Sequence, residues 1–283
     1  MKLKFLLFIL FSSFAVTAPA AVRCEALFDG PYEITSLDLR DQREMDIRGR
    51  SASQVRQRNV EVLNRLLRYT PPLNPGRARA IELRDAQALV DLMQNHEVVG
   101  RASTSRYDPT GEIGFCFGRA TFAHLMLLKM GVSRDSIMKT WVVGPMYTGS
   151  TTWGYHVSTL VFVKDNGWMS IDSNFTEPLP LQEWYNRIYR YSVDRKLRIY
   201  VTAPNRFAPN AGTYTRVQLG LDLGVATQWY KDYFINLMAS IGRNSPEDYG
   251  MRRVPPTTEP GRPGEVVTPR PTAFDMIRDF FMN

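Results

Sequence analysis

The stretch from residue 111 to residue 172 constrains the fold of this chain more than any other part. A glycine-rich loop, GEIG, leads into CFGRATFAHLMLLKMG, in which apolar residues recur at helical spacing until Gly131 ends the pattern. Three strand-like runs follow, at 138–143, 155–164 and 168–172. The tripeptide DNG between the last two runs is typical of a hairpin turn. This order predicts an α+β fold in which the helix packs on an antiparallel sheet.

Further elements are predicted on both sides of this stretch. Helical patterns cover residues 51–69 and 81–95 before it, and residues 181–191 and 225–242 after it. Residues 96–115 are predicted to hold a short strand and then a loop, and residues 197–202 are predicted to form another strand.

The first 20 residues have the composition of a cleaved secretory signal. They combine two lysines, an apolar run and small residues at Ala18 and Ala20, so a secreted or periplasmic protein is expected. No later stretch is long and apolar enough to predict a membrane span. The formal charge of +7 includes Lys2 and Lys4, and the arginines are scattered among acidic residues. We therefore expect no nucleic-acid partner.

The chain has two cysteines, and their environments differ. In an exported protein Cys24 and Cys116 can form a disulfide, and composition alone leaves that alternative open. Cys116, however, lies at the start of a predicted helix. There the unpaired N–H groups and the helix dipole favour a thiolate and can stabilise a developing oxyanion. This position predicts a nucleophile.

A cysteine nucleophile needs a base, and the chain has three histidines. His124 lies two helical turns, or about 12 Å, from Cys116 and is too far to contact it. His96 falls at a helix end with no predicted relation to the thiol. His156, in WGYHVSTLVFV, begins a strand on which the helix is expected to pack. His156 is therefore the predicted base.

Asp172 ends the next strand, in WMSID, and is the predicted partner of His156. A three-residue loop at 165–167 places the two residues on the same side of the sheet. A regular register would nevertheless separate them by four positions, on the order of 13 Å. A bulge or a displaced turn is therefore needed to bring them together.

GFCFGRA, WGYHVSTLV and WMSID, in this order, resemble the Cys, His and Asp blocks of the transglutaminase-like, papain-related superfamily. Within it, residues 81–184 are most similar to bacterial secreted protein glutaminases, which deamidate glutamine side chains in proteins. The resemblance implies that Cys116 is the nucleophile, His156 the base and later acid, and Asp172 the residue that orients His156. It also implies a thioester intermediate. No spacing of His, Cys or carboxylate residues suggests a metal site, and no cofactor is expected.

The resemblance leaves several alternatives open. A transglutaminase or a cysteine peptidase would use the same triad, and a non-catalytic envelope binding module would not use it. Trp153 and Tyr155 are expected to contact a substrate, which would be a protein or peptide bearing glutamine. Cys24 is the only cysteine besides Cys116, whereas known protein glutaminases contain structural disulfides. The oligomeric state stays undecided.

We expect five segments along the chain. These are a signal peptide over 1–20, a helical N-terminal region over 21–80, a catalytic transglutaminase-like domain over 81–243, a Pro-rich disordered tail over 244–271 and a short C-terminal helix over 272–283. Whether the N-terminal region covers the site as a removable pro-segment is open.

Overall fold

A five-stranded antiparallel sheet lies at the centre of the computed structural model, which describes residues 37–111, 113–210 and 231–256. The strands are β1 (Ile137–Tyr147), β2 (Thr152–Val163), β3 (Gly167–Ile171), β4 (Leu179–Pro180) and β5 (Arg198–Thr202). Their order across the sheet is β4-β3-β2-β1-β5. The predicted α+β class and the antiparallel pairing of the three central strands are confirmed.

Seven α-helices surround this sheet in the described residues. They are α1 (Leu39–Ile47), α2 (Ala52–Leu67), α3 (Leu83–Asn95), α4 (Arg101–Thr104), α5 (Cys116–Lys129), α6 (Leu181–Tyr189) and α7 (Lys231–Arg243). Helix α2 begins where the sequence predicts because Ser51 and Gln54 form a capping box, in which each side chain accepts the other residue's backbone N–H. The predicted helices over 81–95 and 181–191 are confirmed as α3 and α6.

Helices cover both faces of the sheet. Buried side chains of α3, α5 and α7 share one apolar cluster with Trp141 and Val161 of the sheet. Those of α2 and α6 share a second cluster with Met138 and Leu160. Side chains at neighbouring strand positions point to opposite faces of the sheet, so the two clusters lie on opposite faces. Through α2, the described part of the N-terminal region shares the second cluster with the sheet.

The turn between β2 and β3 begins one residue earlier than predicted. Val163 pairs with Gly167, so the loop consists of residues 164–166, and Asp165 within it has a left-handed φ of 61°. If this register is continued, Asp172 falls opposite Ser158. Asp172 is then two positions from His156, whereas the predicted register placed it four positions away.

The strand predicted within residues 96–115 is wrong. This segment contains the short helix α4, and the backbone N–H groups of Val98 and Val99 are bound by Nδ1 of His96, at 3.0 and 3.3 Å. Because the His96 side chain accepts hydrogen bonds from these buried N–H groups, they need no acceptor on a neighbouring strand.

The predicted Pro-rich tail covers residues 244–271. Its first part, residues 244–256, packs on the core. Residues 247–249 form a 3-10 turn, Met251 is only 1% exposed, and the N–H of Val254 donates to the carbonyl of Met130 at 2.8 Å. The prediction of a disordered tail is therefore wrong for residues 244–256, because Met251 supplies a side chain that the core buries.

The remaining terminal predictions lie outside the described residues. These are the signal peptide over 1–20, the stretch 21–36, the tail from residue 257 and the C-terminal helix over 272–283. In the part of the chain that the structure describes, no helix is long and apolar enough to cross a membrane.

Candidate active site

Cys116 is the first residue of α5 and is a half-buried free thiol. Phe115, just before it, has a left-handed φ of 47°, which is uncommon for a residue with a side chain. The Phe115 ring is buried and stacks on Tyr233 of α7, with ring centroids 4.2 Å apart. Packing therefore holds a sharp entry into the helix, and the cysteine lies at its positive end.

Two charged side chains fix the loop that leads to Cys116. The Oδ2 atom of Asp108 accepts the backbone N–H groups of Ile113 and Gly114, at 3.0 and 2.9 Å. The guanidinium of Arg119 donates to the carbonyls of Gly114 and Val99, at 2.6 and 3.0 Å. The loop is thus held by hydrogen bonds from its own segment and from the first turn of α5.

His156 and Asp172 are brought together, as the sequence predicts. Nε2 of His156 lies 2.6 Å from Oδ2 of Asp172, and the two residues are 3% and 5% exposed. The displaced turn described above halves the predicted separation from four positions to two, and the side chains span the rest. The thiol of Cys116 and the same imidazole line one cavity. Because Asp172 occupies Nε2, Nδ1 is the ring nitrogen left for another partner.

The electrostatics of this cluster favour a charged histidine. Burial lowers the pKa of His156. The negative charge and hydrogen bond of Asp172, together with the nearby Cys116, outweigh burial and raise that pKa to about 10. Burial likewise raises the pKa of Asp172, but His156 and two further hydrogen-bond donors bring it below its usual value. Both groups are therefore charged at neutral pH.

Trp184 of α6 is a site residue that the sequence analysis missed. Its indole Nε1 donates to Oδ2 of Asp172 at 2.8 Å, and the N–H of Asn174 donates to Oδ1 at 3.0 Å. The imidazole of His156 lies between the rings of Trp153 and Trp184, with centroids 6.4 and 6.1 Å away. A buried indole N–H usually donates a hydrogen bond to an acceptor. The sequence could have indicated Trp184 only through this need of a buried tryptophan for an acceptor.

A cavity of about 140 Å³ opens beside the thiol. It is lined by Ile113 and Gly114 of the loop, by Cys116 and Arg119 of α5, by residues 152–156 of β2 and by Asn174.

Trp153 and Tyr155, the two predicted substrate contacts, are both in this wall. The indole Nε1 of Trp153 is buried and has no hydrogen-bond partner in the described structure. None of the described residues from 37 to 80 lines the cavity, so that part of the N-terminal region does not cover it.

The two other histidines lie away from this cavity. His124 is buried within α5, and burial holds its pKa well below the usual value. Nε2 of His96 is 2.9 Å from Oγ of Ser240 in α7. Cys24 lies outside the described residues.

Two of three comparisons with known proteins found a similar protein or family. No curated protein matches the chain. Among solved structures, the NMR structure of the protein-glutaminase from Chryseobacterium proteolyticum is similar, with 20% sequence identity and a TM-score of 0.38. The similarity covers 53% of this chain and 95% of that one. A family model described as Glutaminase matches residues 86–188, a segment that contains Cys116, His156, Asp172 and Trp184. This match supports an enzyme of the glutaminase type.

Proposed function

We propose that this chain hydrolyses the carboxamide of glutamine side chains in proteins, releasing ammonia and leaving glutamate. The observation that carries the proposal is the cavity that Cys116 and His156 line together, with His156 hydrogen-bonded to the buried Asp172. These three residues lie within the segment that matches the glutaminase family model.

In the first step Cys116, whose thiol proton has passed to His156, attacks the carbonyl carbon of the carboxamide as the thiolate. A carbon–sulfur bond forms, and the carbonyl electron pair moves to oxygen. The backbone N–H groups at the start of α5 can donate to this oxyanion. The indole N–H of Trp153, which is buried and has no acceptor in the described structure, is a second donor. Trp153 and Cys116, the first residue of α5, line the same cavity.

In the second step the carbon–nitrogen bond breaks. The imidazolium of His156 gives its proton to the departing nitrogen, ammonia leaves, and the acyl group stays on Cys116 as a thioester. Neutral His156 then takes a proton from water, which attacks the thioester and releases glutamate and the thiolate. Asp172 keeps the ring in one orientation and stabilises its charged form throughout.

The substrate in this proposal is a protein or peptide that presents an accessible glutamine. Trp153 and Tyr155 form the cavity wall that contacts the glutamine side chain. Residues 1–20 direct export, so the substrates are extracellular or periplasmic proteins. An amine in place of water would give a transglutaminase, and attack on a main-chain carbonyl would give a peptidase.

The test is mass spectrometry of a mixed protein substrate after incubation with the purified chain, together with an assay of free ammonia. We expect conversion of glutamine to glutamate with stoichiometric ammonia, and neither product with Cys116→Ala. Arg58→Ala, which removes an exposed cation of α2, is the matched control and should retain full activity. Cleaved peptides or cross-linked products without deamidation would contradict the proposal.

A further inference from the structure

A second, much smaller cavity adjoins the cavity described above. Its volume is about 10 Å³, and the residues that line it belong to α3, α5, β2, β3 and the segment that follows β3. Four residues, Cys116, Arg119, His156 and Asn174, line both cavities. The small cavity therefore borders the same thiol and imidazole as the large one, and its other walls are different.

Ser173 lines only the small cavity, and its Oγ has no hydrogen-bond partner in the described structure. The residue is 1% exposed. Its neighbour Asp172 is already bound by His156, by the indole of Trp184 and by the N–H of Asn174, so the hydroxyl is not needed to hold that carboxylate. A buried hydroxyl without a partner is destabilising. Beside a polar cavity, it is typical of a site that binds a small polar molecule.

The small cavity has the size of a site for one water molecule. Such a site needs about 10 to 15 Å³ and two to four polar partners. The polar residues in its lining include Ser173, His156 and Asn174. Ammonia, like water, has a single non-hydrogen atom, whereas an alkylamine or the nitrogen of a peptide bond carries at least one carbon. The cavity therefore fits water or ammonia and excludes a substituted nitrogen.

We infer that the small cavity holds the nitrogen that leaves the carboxamide and then the water that replaces it, and that Ser173 binds this water. The inference rests on the proposed function and names the groups that decide its products. An unsubstituted carboxamide fits and a peptide bond does not, so hydrolysis of side-chain amides is selected over cleavage of the main chain. Water fits and an alkylamine does not, so hydrolysis is also selected over transfer to an amine.

The water step balances on groups that line the small cavity. The water gives one proton to Nδ1 of neutral His156, and its oxygen forms a bond to the carbonyl carbon of the thioester. The carbon–sulfur bond then breaks, and the sulfur of Cys116 leaves as the thiolate. The glutamine side chain is released as glutamate. The hydroxyl of Ser173 accepts the second hydrogen of the water and so directs its oxygen.

The test is the ratio of two products formed by the full-length Ser173→Ala variant. A glutamine peptide is incubated with the protein in excess methylamine, and glutamate and N-methylglutamine are counted by mass spectrometry. The substitution removes one hydrogen bond to the water, which costs about tenfold in its attack, and it makes room for the methyl group. We expect the ratio of N-methylglutamine to glutamate to rise at least tenfold above that of the unsubstituted chain.

Ser136→Ala is the matched control. Oγ of Ser136 is likewise buried and without a partner in the described structure, but the residue lines neither cavity. Both variants should keep or raise the melting temperature, because each loses an unpaired buried hydroxyl. A product ratio in Ser173→Ala equal to that of Ser136→Ala, whether or not turnover falls, would overturn the inference.

A crystal structure of the unsubstituted chain separates this inference from the proposed function. We expect an ordered water within about 3.2 Å of Oγ of Ser173. If no water is bound there, the inference is overturned even when the chain deamidates protein glutamine. If the water is present and the chain releases no ammonia, the proposed function is refuted and the water site is retained.

Discussion

Two charge pairs of this molecule, each with a buried cationic side chain, differ in what surrounds them. Arg198 of β5 is 1% exposed, and its Nε lies 3.0 Å from Oδ2 of Asp46 at the end of α1. Nη1 of the same guanidinium donates to Asn59 of α2. His156 and Asp172 are as deeply buried, but they border a cavity and a free thiol.

The partners of the Arg198 pair are all protein groups from neighbouring elements. Asn59 also donates to the hydroxyl of Tyr185 and the carbonyl of Leu197, at 2.7 and 2.6 Å, and Tyr200 donates to Asp46 at 2.9 Å. This pair joins α1, α2, α6 and β5. The cavity beside His156 instead contains the unpaired indole N–H of Trp153. The comparison indicates that the charge of Arg198 holds neighbouring helices and a strand together. The charges of His156 and Asp172 instead border a cavity that can bind a ligand.

The largest expected effect that separates the two regions is on turnover in Asp172→Asn. The substitution removes the charge that raises the pKa of His156, and we expect kcat to fall by about 10² to 10⁴. Steady-state ammonia release and a thermal melt should be measured on the same preparation. Near-normal turnover in a stably folded variant would remove Asp172 from the proposed mechanism.

Arg198→Met should give the converse result. Removing the buried guanidinium leaves Asp46, which is 22% exposed, and the buried Asn59 without their cation, and we expect a loss of about 1.5 to 3 kcal/mol in the free energy of unfolding. Activity per folded molecule should change little. Urea denaturation with ammonia release at low denaturant checks both. A specific loss of turnover without destabilisation would contradict the structural role.

Trp153→Phe tests the unpaired donor. If its N–H binds the oxyanion, kcat should fall by about 10² while alkylation of Cys116 by iodoacetamide keeps its rate, because alkylation forms no oxyanion. Trp141→Phe is the control, since that indole donates to Thr202 within the core. We expect Trp141→Phe to lower the melting temperature and to leave kcat unchanged. Equal kcat in the two variants would exclude Trp153 as the donor.

The pH dependence is the smallest of these effects. Since the pKa of His156 is raised to about 10 from its usual 6.5, the stability it contributes is complete below about 6.5 and is lost as pH rises through about 10. Ammonia release should decline over the same alkaline range, because His156 loses the proton it donates. Melting temperatures and initial rates from pH 7 to pH 11 check this. A decline centred near pH 7 would contradict the role of Asp172.

The sequence predicted the elements of the site better than their contacts. Apolar periodicity after Cys116 and around His156 was enough to place α5 and β2. The register between β2 and β3 was not predictable, because the DNG turn is compatible with a loop over 164–166 or 165–167. The role of Trp184 depends on how α6 packs, and its helical spacing is that of any core residue. Long-range packing of this kind also explains why residues 244–256 were assigned to the tail.

The most direct test of the account is to detect the acyl group on Cys116. The active chain is mixed with a glutamine peptide, quenched with acid within milliseconds to seconds, and mapped by mass spectrometry. The account predicts an adduct equal to the peptide minus ammonia on the fragment that contains Cys116, and none on Cys116→Ala. Deamidation that continues in Cys116→Ala, or an adduct at another residue, would contradict it.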